Sequence, residues 1–96
     1  MPKLISITAS TNPKKKLMAK FQMENGRTKT THFGAKGMSD FTMNKDETRK
    51  ASYLARHRAT ENHQDPTTAG ALARWVLWNK PSRSASIADF KRRFNL

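Results

Sequence analysis

The residues of this chain that could do chemistry are mostly cations. Lys14, Lys15 and Lys16 stand in one run, Arg49, Lys50, Arg56 and Arg58 in a second group and Lys91, Arg92 and Arg93 in a third, with Lys20, Arg27, Lys29 and Lys36 between them. Cations fixed side by side displace the counterions of a polyanion and bind its phosphates, which gives affinity without a choice of base. Over 96 residues, 19 Lys and Arg face 7 Asp and Glu, for a formal charge of +12. Self-repulsion at that density works against compactness and is tolerated where a polyanion neutralises it. A charge run can also be no more than a solvated face. Here, however, few acids stand at i±4 to neutralise the cations.

Other chemistries find little support. There is no cysteine, which excludes disulfides, thiolate zinc and a cysteine nucleophile together. The three histidines, His32, His57 and His63, do not share ligand spacing: His57 and His63 are six apart, not the four that places two imidazoles on one helix face. They read as structural or surface groups. Serines such as Ser39 and Ser52 stand beside no recognisable His and Asp partners. No catalytic residue, metal, cofactor or small-molecule substrate is expected, and the chain reads as a non-enzyme. With 35% hydrophobic residues and a mean hydropathy of −0.84, the apolar side chains are all needed for packing. The opening MPKLISITAS has an apolar run of two before Ser6, too short for a signal-peptide core. No stretch approaches the roughly 20 apolar residues of a membrane span. A soluble intracellular protein without membrane contact is the expectation.

The elements that must position the cations change type near residue 37. Residues 1–36 carry eight basic residues and one acid, and residues 37–96 carry eleven and six. With no internal repeat, residues 1–96 form one domain: strands over 1–36, then a loop and helices over 37–96. Ile5, Ile7 and Ala9 alternate with Ser6 and Thr8, and Leu17, Ala19, Phe21 and Met23 with Met18, Lys20 and Gln22. Asn12-Pro13 marks the turn between these strands. Asn25-Gly26 predicts a type I′ hairpin, in which both residues need φ > 0, and a third strand follows over 27–33. Residues 38–43 read as a connecting loop. Asn44 and Glu47 suggest a capping box for a helix whose inward face is Ala51, Leu54, Ala55 and Arg58. Asp65-Pro66 signals a second helix start, with Leu72, Trp75, Val76 and Asn79 inward and Pro81 ending it. Ser86 and Asp89 suggest a cap for a third, with Ile87, Phe90 and Phe94 on one side. The expected fold class is α+β: an N-terminal three-stranded antiparallel meander followed by three helices packed on one sheet face.

Two further features bear on binding. Gly34-Ala35-Lys36-Gly37 resembles in form a G-x-x-G phosphate clamp, but it follows a strand, where two glycines most simply let the chain leave a sheet. Lys36 can still meet a phosphate. Trp75, Trp78, Tyr53, Phe90 and Phe94 could stack on bases, yet their i,i+3 and i,i+4 spacing assigns them to the core. The outer sheet face, with Lys20, Gln22, Thr28 and Thr30, is what a β-sheet reader would offer to duplex DNA.

From His32 onward the chain carries longer motifs. His32-Phe33-Gly34-x-x-Gly37-x-x-Asp40-Phe41-Thr42 is followed by Asp46-x-x-Arg49-Lys50-x-x-Tyr53-x-x-Arg56-His57, then Arg74-Trp75-x-Leu77-Trp78-Asn79-Lys80-Pro81 and Ser86-Ile87-x-Asp89-Phe90-Lys91-Arg92-Arg93-Phe94. Over residues 28–96 this resembles a family of small basic proteins, with no assigned activity, encoded by nucleocytoplasmic large DNA viruses (giant viruses). The chain departs from that pattern at Asn44, where a histidine would precede Lys45. The resemblance implies a viral setting: the virion, and the viral factory in host cytoplasm or nucleus. It is compatible with two roles. One is a virion-associated protein contacting nucleic acid, DNA ahead of RNA, without sequence specificity. The other is a minor capsid protein docking on coat proteins.

Overall fold

A computed structural model describes residues 2–57 and 63–96. Three strands, β1 (Lys3–Ala9), β2 (Lys15–Gln22) and β3 (Thr28–Ala35), form an antiparallel meander in the order β1-β2-β3. Period-2 alternation decides its faces. Leu17, Ala19 and Phe21 of β2 are buried, and Leu17 lies opposite Phe33 of β3. The other face carries Ser6, Lys20 and Thr30 in one row and Thr8, Met18 and His32 in another.

Two expectations about the sheet are corrected. Between Leu4 and Ser6 the register shifts, so that Leu4 opposes Phe21 and Ser6 opposes Lys20. This bulge ejects Ile5, which is 55% exposed, and Leu4 rather than Ile5 packs on the core with Ile7. The hairpin is also not type I′. Gly26 has φ +83°, but Asn25 is not among the residues with positive φ. Gly26 N–H donates to Met23 O and Met23 N–H to Arg27 O, which is a three-residue loop over 24–26 with its one left-handed position on glycine. Asn25 instead accepts the Arg27 N–H through its side chain.

The helices begin at other residues and turn differently than the sequence suggests. Residues 41–44 form a single turn, α1 (Phe41–Asn44), capped by the Asp40 side chain on Thr42 N–H, where the sequence reads as a loop. Helix α2 (Glu47–His57) is capped by Asp46, whose carboxylate accepts from the Thr48 and Arg49 N–H groups, not by Asn44. Its inward face is Lys50, Tyr53, Leu54 and His57, with Tyr53 buried, whereas Ala51 and Ala55 are exposed. Arg58, expected on that face, lies outside the described residues. Asp65-Pro66 starts a turn rather than a helix. Thr68 caps α3 (Ala69–Leu72), which continues as a π-helical turn (Ala73–Leu77) closed by Trp78 N–H on Ala73 O. The last helix, α4 (Arg83–Arg93), is capped by Ser82, and Ser86 and Asp89 are buried within it.

These helices cover one face of the sheet. Phe21, Phe33, Leu72, Val76, Leu77 and Phe90 form the center of the core, with Trp75, Trp78, Ile87 and Phe94 packed around it. Truncating such an aromatic typically costs about 3–5 kcal/mol, comparable with the whole stability of so small a domain. Gly34 has φ +79°, and a Cβ there would stand 2.7 Å from Leu77 Cδ1. Glycine at this position therefore lets the π-helical turn rest on the sheet, besides supplying the left-handed conformation. Among the described residues, no helix is long and apolar enough to cross a membrane.

Asp89 ties α4 to the chain leaving the π-helical turn. It is 6% exposed and accepts from Asn79 Nδ2 at 2.7 Å, Arg92 at 2.7 Å and Arg93 at 3.3 Å. The Asn79 hydrogen bond, with the two guanidinium contacts and against the opposing effect of burial, holds its carboxyl at about 2, below its ordinary 3.8. A depressed carboxyl stabilises the fold above its unfolded pKa and loses that contribution as pH falls toward the folded one. Stability should therefore drop between pH 3.8 and about 2. Asp89→Asn should be less stable at neutral pH by about 1–3 kcal/mol and should lose less on acidification, as read by urea unfolding across that range. Equal acid sensitivity in the two proteins would contradict this role.

Candidate nucleic-acid interface

The first basic run is held by a braced turn. Ser10 Oγ lies 2.7 Å from His32 Nδ1 and accepts the Asn12 N–H. Asn12 in turn accepts the Lys14 N–H on its side chain and the Lys15 N–H on its carbonyl. Lys36 N–H donates to Lys14 O at 3.0 Å, and Lys15 pairs with Ala35. Lys14, Lys15 and Lys36 are thus brought to one end of the sheet by backbone pairing.

Beside that end lies a groove of about 390 Å³ between the sheet, α2 and α3. It is lined by the exposed Arg56, by the half-buried Lys15, His57 and Trp78, and by the buried Phe33, Tyr53 and Leu77. An adjoining hollow of about 290 Å³ is lined by Ser39, Thr48, Arg49, Ser52 and Arg56, and it shares Met38, Ser39, Arg56 and Trp78 with the first. Tyr53 stacks on Trp78 with centroids 4.5 Å apart and planes 8° apart, and on His57 at 4.2 Å. Among the described residues, no carboxylate forms an ion pair with Lys14, Lys15, Lys36, Arg49 or Arg56.

Other cations of the expected set have partners within the chain. Lys16 Nζ pairs with Asp40 at 2.5 Å, their side chains 13% and 1% exposed. Lys29 points toward the helices and donates to Thr67 Oγ1, which itself donates to Asp65. The backbone and side chain of Thr67 hold the Asp65 carboxyl below its usual range. Lys50 donates to Asn79 O at 2.7 Å and lies 4.9 Å from the Phe41 ring centroid. Arg92 and Arg93 pair with Asp89. Arg93 and Arg74 each stand 4.0 Å from the Trp75 ring centroid. Burial, and then the charge of Arg93, push Arg74 below its ordinary value, though a guanidinium keeps its proton throughout.

The remaining candidates are spread out. Lys20 is on the open sheet face, and Arg27 is at the hairpin opposite Met23, roughly 30 Å along the strands from Lys14. Lys91 is exposed on α4, and Arg58 lies outside the described residues. Tyr53 and Trp78, assigned to the core by their spacing, line the groove as well. They stand 25 positions apart, so no local spacing reveals that they share a wall. Among the described residues, no three or more His, Asp or Glu come together as a metal cluster.

Compared with known proteins, residues 5–57 match the model of a family of unknown function, DUF5754. The match spans more than half the chain, and the chain belongs to that family. No curated protein and no solved structure matches.

The contrast between paired and unpaired lysines is measurable in the free protein. Removing Lys16 leaves the buried Asp40 without its counter-charge, which should cost on the order of 3 kcal/mol. Lys14→Ala, at an exposed position, should change stability by no more than about 0.5 kcal/mol. Urea unfolding of Lys16→Ala and Lys14→Ala decides this, and equal midpoints would contradict a structural Lys16.

Proposed function

We propose that this DUF5754 member is a small basic non-enzymatic protein that holds nucleic acid by its phosphates without reading sequence, at the end of the sheet where Lys14, Lys15 and Lys36 lie beside Arg49 and Arg56. One observation carries the reading: these five cations have no carboxylate partner among the described residues, while Asp40, Asp46, Asp65 and Asp89 are engaged in caps, turns and internal ion pairs. Uncompensated positive charge on a braced turn and a helix suits phosphate contacts, which position a strand but carry no base information. DNA ahead of RNA, the virion and the viral factory as location, and a large DNA virus as source all rest on the sequence resemblance over residues 28–96.

The reading of a minor capsid protein draws on a different observation, the exposed Ile5, Met38 and Met43 at 55%, 64% and 61%. Docking on a coat protein would use such apolar anchors and respond weakly to salt. The two readings separate in one titration. Neutralising about five phosphates should give a slope of log affinity against log salt near −4 to −5. Changing Lys14, Lys15 and Lys36 together to Ala should weaken binding alike for unrelated duplex sequences and reduce that slope by up to about 3. A flat salt response, or no gel shift of a short duplex at low salt, would overturn the nucleic-acid reading and favor the capsid one.

A further inference from the structure

We propose that the groove between the sheet, α2 and α3 receives one unpaired base of a single strand, with the phosphates on either side held by Lys15 and Arg56. This rests on the phosphate-binding reading above and specifies the ligand of the same surface. The buried lining of the groove is aromatic and aliphatic, from Phe33, Tyr53 and Leu77 with the half-buried Trp78, while the cations Lys15 and Arg56 line it from more exposed positions. That pairing of surfaces, apolar where buried and positive where more exposed, complements a nucleotide, whose π-face is apolar and whose phosphate is anionic.

Depth comes from small residues. Ala69, Gly70 and Ala73 line the helical side, and Gly34, where a Cβ would already collide with Leu77, lines the sheet side. At about 390 Å³ the groove stands at the small end of ligand sites. It suits one nucleotide and is too small for a base pair still in its stack. A duplex would have to unstack and unpair to fill it, at a cost that a single strand does not meet. Among the described residues, the one carboxylate lining the groove, Asp40, is neutralised by Lys16 and accepts the Thr42 N–H and hydroxyl. It therefore does not repel an incoming phosphate.

The test separates base from phosphate. The full-length protein is titrated at fixed salt with an oligothymidylate of about twelve nucleotides, a length within single-strand site sizes, and with an abasic strand of the same length and charge. The thymidylate should bind about tenfold more tightly and quench tryptophan fluorescence, which the abasic strand should not do. Ala69→Leu, which narrows the groove from an exposed helix position, should lower thymidylate affinity toward that of the abasic strand. Trp78→Phe should remove most of the quenching.

Equal affinity for both strands would overturn the base site and leave the phosphate reading standing. No binding of either strand at low salt would overturn both. A thymidylate preference that survives Ala69→Leu and Trp78→Phe would place the base elsewhere and overturn this groove. Competition by an acidic peptide as effective as the thymidylate would overturn a nucleotide as its occupant.

Discussion

Asp40 stands where the sheet gives way to the helices, 1% exposed, and the rest of the molecule is arranged around its charge. Its carboxylate accepts from Lys16 on β2, from the Thr42 N–H and from the Thr42 hydroxyl. One buried anion thereby starts α1, ties the sheet to the helical half of the chain and consumes a lysine that would otherwise belong to the basic turn. A carboxylate so far from water persists only with a counter-charge and full hydrogen bonding. This arrangement supplies both. The groove beside it takes its wall from the same residues, Lys16 and Asp40.

The other described aspartates follow the same economy. Asp46 caps α2, Asp65 closes the turn before α3, and Asp89 joins α4 to Asn79. A chain with 7 acids and 19 Lys and Arg that commits its four described aspartates to local structure leaves much of its positive charge facing outward. Lys14, Lys15, Lys36, Arg49 and Arg56 are what remains at one end. Small size explains why the core must be aromatic-rich: with little area to bury, Phe21, Phe33, Phe41 and Phe90, each buried to within 1%, supply a large share of it.

Local patterns were legible and distant partners were not. Alternation in β2 put Leu17, Ala19 and Phe21 on one face, as observed, because a strand's period is a property of its own residues. The Gly26 turn was legible for the same reason, but not its type, which depends on how the strands pair. The bulge at Ile5 likewise belongs to the register of two strands. The inward face of α2 was misplaced because Tyr53 is buried by stacking on Trp78, a partner from another helical segment. Among the cations, Arg92 and Arg93 stand at i+3 and i+4 from Asp89, a spacing that was there to be read. Lys16, Lys29 and Lys50 instead reach partners 24, 38 and 29 positions away, and only the folded chain separates them from Lys14 and Lys15.

The central claim is that the unpaired cations at one end of the sheet form the binding surface, and amide chemical-shift mapping addresses it most directly. Titrating the isotopically labelled full chain with a short oligonucleotide at low salt should shift the amides of Lys14, Lys15, Lys36, Arg49 and Arg56 and of residues lining the groove. Lys20, Thr28 and Thr30 on the open sheet face, and Lys91 on α4, should stay in place. Shifts confined to the open face or to α4, with the lysine turn unmoved, would contradict the account.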